Sequence, residues 1–440
     1  MKNLPSVISS SLGNILEWYD FGLFTIFSTL FSKLFFPTEN PQTALIATIG
    51  IFSIGFLCRP IGALLFGYLG DKRGRANTLR LSVLMITLPT LLISFLPSYQ
   101  QIGIAAPICL TLIRMWQGIS IGGEYSGNLI YLAEIAPKKH RALFTSFASM
   151  GANFGLLLAA LIGLITSSLF DQQILEAWGW RIPYLISGLF CLFIYQYRLK
   201  LRETDVFIYL KNKMLVSSNP FKLIITRDFN NVLRTFALVC MGSTFYYFCF
   251  IYIPIFISQK SLLNIQHVSL FMTVLICLII ITVPIAGYLC DAIGRRKMLL
   301  FNSLFICCFV IPGFYLLQLN YFFMLGVLII FALASSLEQG TTPIALIENF
   351  PPRARYTGVA LGYNLGNGLL GGTVSIICEW LLLITHNNMA PAFYIAFCAA
   401  ITLLVVFFFV PETREVSLKL PLAGEGQSGR TLQTSDELSS

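Results

Sequence analysis

The sequence predicts an all-α membrane protein of twelve transmembrane helices arranged as two pseudo-symmetric six-helix bundles. Three observations carry that prediction. Of the 440 residues, 56% are hydrophobic and only 11% charged. Apolar runs of about 20 residues, long enough to cross a hydrocarbon core of about 30 Å, can be placed twelve times. A short charged elbow between two such runs recurs 220 residues after its first appearance. A mean hydropathy of +0.77 excludes a soluble globular chain.

The runs fall at 11–36, 43–70, 78–97, 102–134, 142–167, 181–200, 233–257, 268–290, 297–317, 321–348, 356–384 and 391–410. They divide into an N-terminal bundle at 1–200, a connecting loop at 201–232, a C-terminal bundle at 233–410 and a tail at 411–440. The first run carries Glu17 and Asp20 and is followed by no small-residue cleavage site, so it reads as a retained helix and not a removed signal peptide. The loop, L-R-E-T-D-V-F-I-Y-L-K-N-K from Leu201, reads either as a helix lying on an anionic leaflet or as a plain solvated linker. After Pro411 the chain turns to Gly, Ser and Thr without heptads, and disorder is expected there.

Twelve crossings put both termini on one side. Of the 29 Lys and Arg residues, only Lys33, Lys260 and Arg181 fall at the opposite face, and Arg59 and Arg114 lie within runs; the rest gather on the side of the termini. The positive-inside rule makes that side cytoplasmic. The net charge of +9 is thereby an orientation signal; no basic-aromatic patch of a nucleic-acid binder accompanies it. The eleven cysteines sit in apolar runs as buried thiols, and His140, His267 and His386 are scattered, so no metal site is expected. No G-x-x-x-x-G-K-[ST] loop and no nucleophile-base pairing is present, which argues against an ATP-driven pump or an enzyme.

The elbow reads G-Y-L-G-D-K-R-G-R from Gly67 to Arg75, and its echo reads G-Y-L-C-D-A-I-G-R from Gly287 to Arg295. Gly67, Asp71, Gly74 and Arg75 recur as Gly287, Asp291, Gly294 and Arg295. A second echo, 214 residues apart, pairs Glu134, Pro137, Lys139 and Arg141 with Glu348, Pro351, Arg353 and Arg355, and also Glu124 with Glu338. The elbow resembles the loop signature of the major facilitator superfamily. That resemblance implies two similar halves with a site near the midplane between them. It also makes Gly67, Asp71, Arg75, Asp291 and Arg295 gating residues, with Asp71 facing the positive N-terminus of the eleventh helix.

An ionisable group at the centre of a span costs about 2.5 to 3.5 kcal/mol on insertion scales, so each needs a partner, a wet cavity or a task. Arg59 lies about 18 Å from the elbow's Asp71 along a helix rising 1.5 Å per residue, and Arg114 reaches similar depth on the fourth run. Glu17 and Asp20 share one face of the first run; Gln117 and Glu124 share one face of the fourth. Brought together they form either a charged cavity or a structural ion-pair network. Glycines such as Gly118, Gly122 and Gly123 already supply close helix packing, which favours the cavity. Glu338 with Gln339 reads as gating or structural. Phe245 to Tyr252, F-Y-Y-F-C-F-I-Y, reads either as packing aromatics or as part of a cage for a quaternary ammonium group, to which Trp18, Tyr19, Trp116 and Tyr125 would add.

Five stretches carry a narrower resemblance: G-N-I-L-E-W-Y-D-F from Gly13, F-L-C-R-P-I-G from Phe56, R-M-W-Q-G-I-S-I-G-G-E-Y from Arg114, A-E-I-A-P-K-K-H-R from Ala133 and W-G-W-R-I-P-Y from Trp178. Together they are similar to the metabolite:proton symporters, which include bacterial proline/betaine, 2-oxoglutarate, citrate and shikimate carriers. The resemblance implies a monomer in the bacterial inner membrane, importing a small zwitterionic or anionic metabolite. Its partners are that substrate, protons and membrane lipids; it needs no cofactor beyond the proton gradient. Arg59 and Arg114 would hold a carboxylate, with Gln117, Tyr125 and Trp18 beside it, and Glu17, Asp20 and Glu124 would carry the proton. Export on the same fold and ligand sensing without transport are the alternatives. Osmosensing members append a coiled-coil tail, and the short tail here lacks that pattern.

Overall fold

The computed structural model describes residues 4–36, 41–259 and 265–418. Twelve long helical segments run through it. In the first half these are α1 (Leu4–Ile26, resuming as Ser28–Phe35), α2 (Pro41–Arg73), α3 (Arg75–Ser94), α4 (Ala105–Ile135), α5 (Arg141–Leu169) and α6 (Arg181–Arg198). In the second they are α7 (Phe229–Tyr247, prolonged to Gln259), α8 (Ile265–Ile293), α9 (Arg295–Leu317), α10 (Tyr321–Glu348), α11 (Arg355–Gly366, resuming as Val374–Thr385) and α12 (Ala390–Phe409). No strand occurs among the described residues.

Ten of these segments are long and apolar enough to cross a membrane; α1 and α4 fall short of that composition. The physical reason is visible in their residues. Ser9, Ser10, Asn14, Glu17 and Asp20 on α1, and Arg114, Gln117, Glu124 and Asn128 on α4, are all buried against protein. Polar groups at that depth persist only where protein, and not lipid, surrounds them.

Within the first half α1 packs on α5, α2 on α4, and α3 on both α4 and α6. In the second, α8 packs on α10, α9 on α12, and α7 on α11 and α12. The halves meet along α2 with α11 and along α5 with α8. Small residues allow the closest of these approaches. Gly118 rests on the carbonyl of Gly55, and a Cβ at Gly122 would lie 2.8 Å from the amide nitrogen of Ala63. Gly122→Ala should therefore push α2 and α4 apart at a cost of about 1–3 kcal/mol, read as a lower melting temperature in detergent. Wild-type melting would show slack in this contact.

Several local features depart from the predicted runs. α1 breaks at Phe27, and π turns interrupt α7 at Phe248–Tyr252 and α11 at Asn367–Gly371; such turns concentrate at functional places in helices. The connecting loop is largely helical: Asp205–Asn212 forms one short helix, and Pro220–Leu223 leads through Ile224–Asp228 into α7. The first short helix is capped by Thr204, whose hydroxyl accepts from the Phe207 amide at 3.2 Å. It buries Val206, Phe207 and Leu210 against the elbow, with the Arg75 guanidinium 5.3 Å from the Phe207 ring, so its apolar side is covered by protein. The disorder expected from 411 does not hold for 411–418, where Thr413 and Leu418 are buried. Residues 419–440 lie outside the described residues, as does Lys260.

Candidate functional site

The two elbows close one end of the molecule. Gly74 and Gly294 have φ of +105° and +116°, a region that disfavours any residue with a Cβ, and this explains the second glycine of each motif. The turn aims each preceding aspartate at the other half. Asp71 accepts from the Tyr356 and Thr357 amides at 3.1 and 2.9 Å and from the Thr357 hydroxyl at 2.9 Å. Asp291 accepts from the Ala142 and Leu143 amides at 3.1 and 2.9 Å. A carboxylate thus sits on the first-turn amides of α11 and another on those of α5, where the helix dipole favours an anion.

Around each contact lies a buried ion cluster that the second echo supplies. Glu134 is held by Arg75 of its own half at 3.2 Å and by Arg355 of the other at 2.9 Å. Glu348 is held likewise by Arg295 at 3.1 Å and by Arg141 at 3.3 Å. Gly67 supports the same closure: a Cβ there would lie 2.7 Å from the Thr357 Cα. Gly67, Asp71, Arg75, Asp291 and Arg295 are therefore brought together with the opposite half. Glu338, grouped with them on sequence grounds, lies elsewhere.

The sequence reading passed over the residues that brace this latch. Glu203 accepts from the Arg75 amide at 3.0 Å, and Glu412 from the Arg295 amide at 3.0 Å. The hydroxyls of Thr204 and Thr413 donate to Glu134 and Glu348, each at 2.6 Å. The signal was present as a third echo, R-E-T at 202–204 and P-E-T at 411–413, 209 residues apart. The tail then crosses the latch: the Val416 carbonyl accepts from Arg141 at 2.7 Å and the Leu418 carbonyl from Arg355 at 3.2 Å. Exposed Glu415 meets Lys138 at 2.8 Å, and that hydrogen bond holds its carboxyl below the ordinary range.

Farther from the elbows a cavity of about 80 Å³ lies between the halves. The first half contributes Trp18 from α1, Tyr125 from α4 and Asn153 from α5; the second contributes Tyr246 and Tyr247 from α7, Glu338, Gln339 and Thr342 from α10, and Tyr363 and Asn367 from α11. Hydrogen bonds between the halves cross at and beside this wall. Asn153 donates to the Gln339 side chain at 2.7 Å, Tyr246 donates to Asn153 at 3.2 Å, and Asn364 donates to the Gly122 carbonyl at 2.8 Å. The Tyr125 and Tyr363 rings stack at 4.9 Å between centroids.

The cavity wall carries buried polar atoms without partners: Trp18 Nε1, Tyr247 OH, Gln339 Nε2 and Asn367 Nδ2. Buried polar groups are nearly always satisfied, so a cluster of exceptions facing one cavity marks a place where a polar ligand completes them.

Of the remaining predicted residues, Arg59 stands just behind this wall, 5.9 Å from the Trp18 ring centroid and 4.3 Å from that of Phe56. Its Nη2 is 3.9 Å from Glu17, and neither Arg59 Nη2 nor either Glu17 oxygen has a hydrogen-bond partner. Arg114 forms a tight pair with Asp20 at 2.9 Å, and Gln117 donates to the same oxygen at 3.0 Å. That trio does not line the cavity. Glu124 belongs to a third cluster, gripped by both terminal nitrogens of Arg198 at 2.9 and 2.6 Å and hydrogen-bonded by Ser82 and Asn128. The structure thus separates into three clusters the charges that the sequence grouped around one cavity. Arg198 had counted only as a loop charge. Glu379 on the outer part of α11, with a buried oxygen lacking a partner, was also passed over.

Comparison with known proteins adds the following. A family model described as Major Facilitator Superfamily matches residues 11–376. The chain is 31% identical to the proline/betaine transporter of Salmonella typhimurium over 446 residues, covering 98% of this chain and 88% of that protein. It is 34% identical to a putative proline/betaine transporter of Staphylococcus aureus, with 95% and 90% covered. It is 31% identical to the glycine betaine/proline/ectoine/pipecolic acid transporter OusA of Dickeya dadantii, with 94% and 84% covered. Among solved structures, the proton:xylose symporter XylE superposes with a TM-score of 0.79 at 15% identity, over 93% of this chain and 96% of that one. The fucose:proton symporter FucP of E. coli superposes at 0.64 and 13% identity, over 92% and 98%.

Proposed function

The chain belongs to the major facilitator superfamily, and from that premise we propose that it is a secondary active transporter importing a small zwitterionic or anionic metabolite by proton symport. The observation that carries this reading is the cavity between the halves, latched at the elbow end and walled by unpartnered donors and one carboxylate, Glu338. In alternating access the latch opens as the opposite side closes. The elbow end faces the cytoplasm of a bacterial cell, in keeping with its basic residues and with the relatives' bacterial origin. Both termini are then inside, and the carrier works as a monomer driven by the proton gradient alone.

The substrate is of the proline and betaine kind, as the names of the relatives suggest. Its carboxylate is drawn to Arg59, whose Nε and Nη2 lack hydrogen-bond partners and whose contact with Glu17, at 3.9 Å, is loose. When the substrate takes over Arg59, Glu17 loses its counter-ion and takes up a proton instead. Asp20 exchanges protons only if Arg114 releases it, and Glu124 only if Arg198 does, which makes both later members of the relay.

Uptake of labelled proline, betaines and carboxylates into proteoliposomes, with and without an inward proton gradient, tests the carrier itself. Accumulation of none of them, with ligand binding intact, would make the protein a sensor. Glu17→Gln tests the coupling: exchange of labelled for unlabelled solute should persist while gradient-driven accumulation disappears. Full accumulation in that variant would remove Glu17 from the mechanism.

A further inference from the structure

Glu338 and Glu124 are repeat equivalents, 214 residues apart, and each packs on a glycine of the first helix of its own half: Glu124 on Gly13 and Glu338 on Gly242. Their surroundings differ in one respect. Glu124 is neutralised by Arg198. At the register set by Glu203 and Glu412, the second half has Phe407 where the first has Arg198. Among the described residues Glu338 has no ion pair, and it lines the central cavity instead. No Lys or Arg lines that cavity among the described residues.

A carboxylate removed from water without a cation is costly, and the cost is relieved when a ligand supplies the positive charge. Aromatic faces surround the same space, and they attract a cationic nitrogen, most of all a quaternary one whose methyl groups cannot donate hydrogen bonds. The donors without partners, Trp18 Nε1, Tyr247 OH and Asn367 Nδ2, suit the opposite pole of the same ligand, a carboxylate.

We propose that Glu338, with the rings of Tyr125, Tyr246 and Tyr363, forms the subsite for the positively charged nitrogen of the substrate. This assignment rests on the carrier reading above. It makes Glu338 a specificity-determining residue that selects zwitterions over simple carboxylates, and it fixes the substrate's direction in the cavity, nitrogen towards α10 and carboxylate towards α1 and Arg59.

The test compares glycine betaine with 3,3-dimethylbutanoate, an isostere in which carbon replaces the charged nitrogen. Wild-type protein in proteoliposomes should prefer the betaine in KM, and Glu338→Gln should lower that preference about tenfold or more, while Glu338→Asp keeps most of it. Should the Gln variant turn over too slowly, equilibrium binding of the two labelled compounds in detergent reads the same ratio. An unchanged ratio in Glu338→Gln overturns the subsite. So does loss of proton-driven accumulation with the ratio intact, which would make Glu338 a proton carrier. A wild type that moves only solutes lacking a positive nitrogen also overturns it, yet leaves the carrier standing; a wild type that moves nothing refutes the carrier reading instead.

Discussion

Arg198→Met is expected to destabilise the protein by about 3–5 kcal/mol, the cost of leaving a buried carboxylate without its cation. The geometry is that of a two-pronged grip, Nη1 to Glu124 Oε2 at 2.9 Å and Nη2 to Oε1 at 2.6 Å. Arg198 also donates to the Leu79 carbonyl at 2.8 Å and to Asn128 at 3.1 Å, and Asn14, bonded to Asn128, donates to the Ala148 carbonyl at 3.1 Å. One pair therefore ties together α1, α3, α4, α5 and α6. Gly13 leaves no room for rearrangement, because a Cβ there would run into both charged groups. The melting temperature in detergent should fall sharply in Arg198→Met and recover in part when Glu124→Met is added, since the double variant buries no unpaired charge. Wild-type melting in the single variant would show that the carboxylate finds water or a proton at little cost, and would return Glu124 to the list of mobile proton sites.

Arg198 also shows where the sequence stops being informative. A cation at the end of an apolar run reads the same whether it reaches out to the headgroups or turns inward to a carboxylate 74 residues away. The elbows were legible because their information is local: Gly74 and Gly294 are required by the turn, and Asp71 and Asp291 keep fixed places within it. The echo of Glu134 and Arg141 in Glu348 and Arg355 located the ion clusters, yet the crossing of partners, Glu134 with Arg355 and Glu348 with Arg141, is a property of how the halves dock. The cavity was legible only in part. In a helix apolar on every side, hydropathy does not tell which face meets lipid, so Tyr246 and Tyr247 looked the same as packing aromatics. Glu338 stood out as a mid-span charge, but the absence of a counter-ion beside it goes with Phe407 standing where the first half has Arg198, two helices away.

The second large effect concerns the latch. Asp71→Asn and Asp291→Asn each remove a charge from the first turn of a helix in the opposite half while keeping one oxygen acceptor, at a cost of about 1 kcal/mol apiece. The two contacts share no partners and occupy separate ion clusters, so the costs should add. A sum of about 2 kcal/mol shifts the balance between the elbow-closed and elbow-open states roughly thirtyfold. On the proposed orientation, with the elbow end facing the cytoplasm, the closed state is the one that receives solute from outside, and apparent affinity falls with the fraction of molecules in it. The double variant should thus show a raised KM for external solute and each single variant a smaller rise; all three should insert, with a modest fall in melting temperature because each carboxylate also pairs with the arginine of the next helix in its own half, Asp71 with Arg75 at 3.7 Å and Asp291 with Arg295 at 3.0 Å. Hydrogen exchange gives a second reading: the amides of Ala142, Leu143, Tyr356 and Thr357 should lose protection in step with KM. Wild-type KM together with wild-type protection in the double variant would mean that the ion clusters at Glu134 and Glu348 hold the end closed by themselves, and the aspartates of the repeated elbow would then need another role.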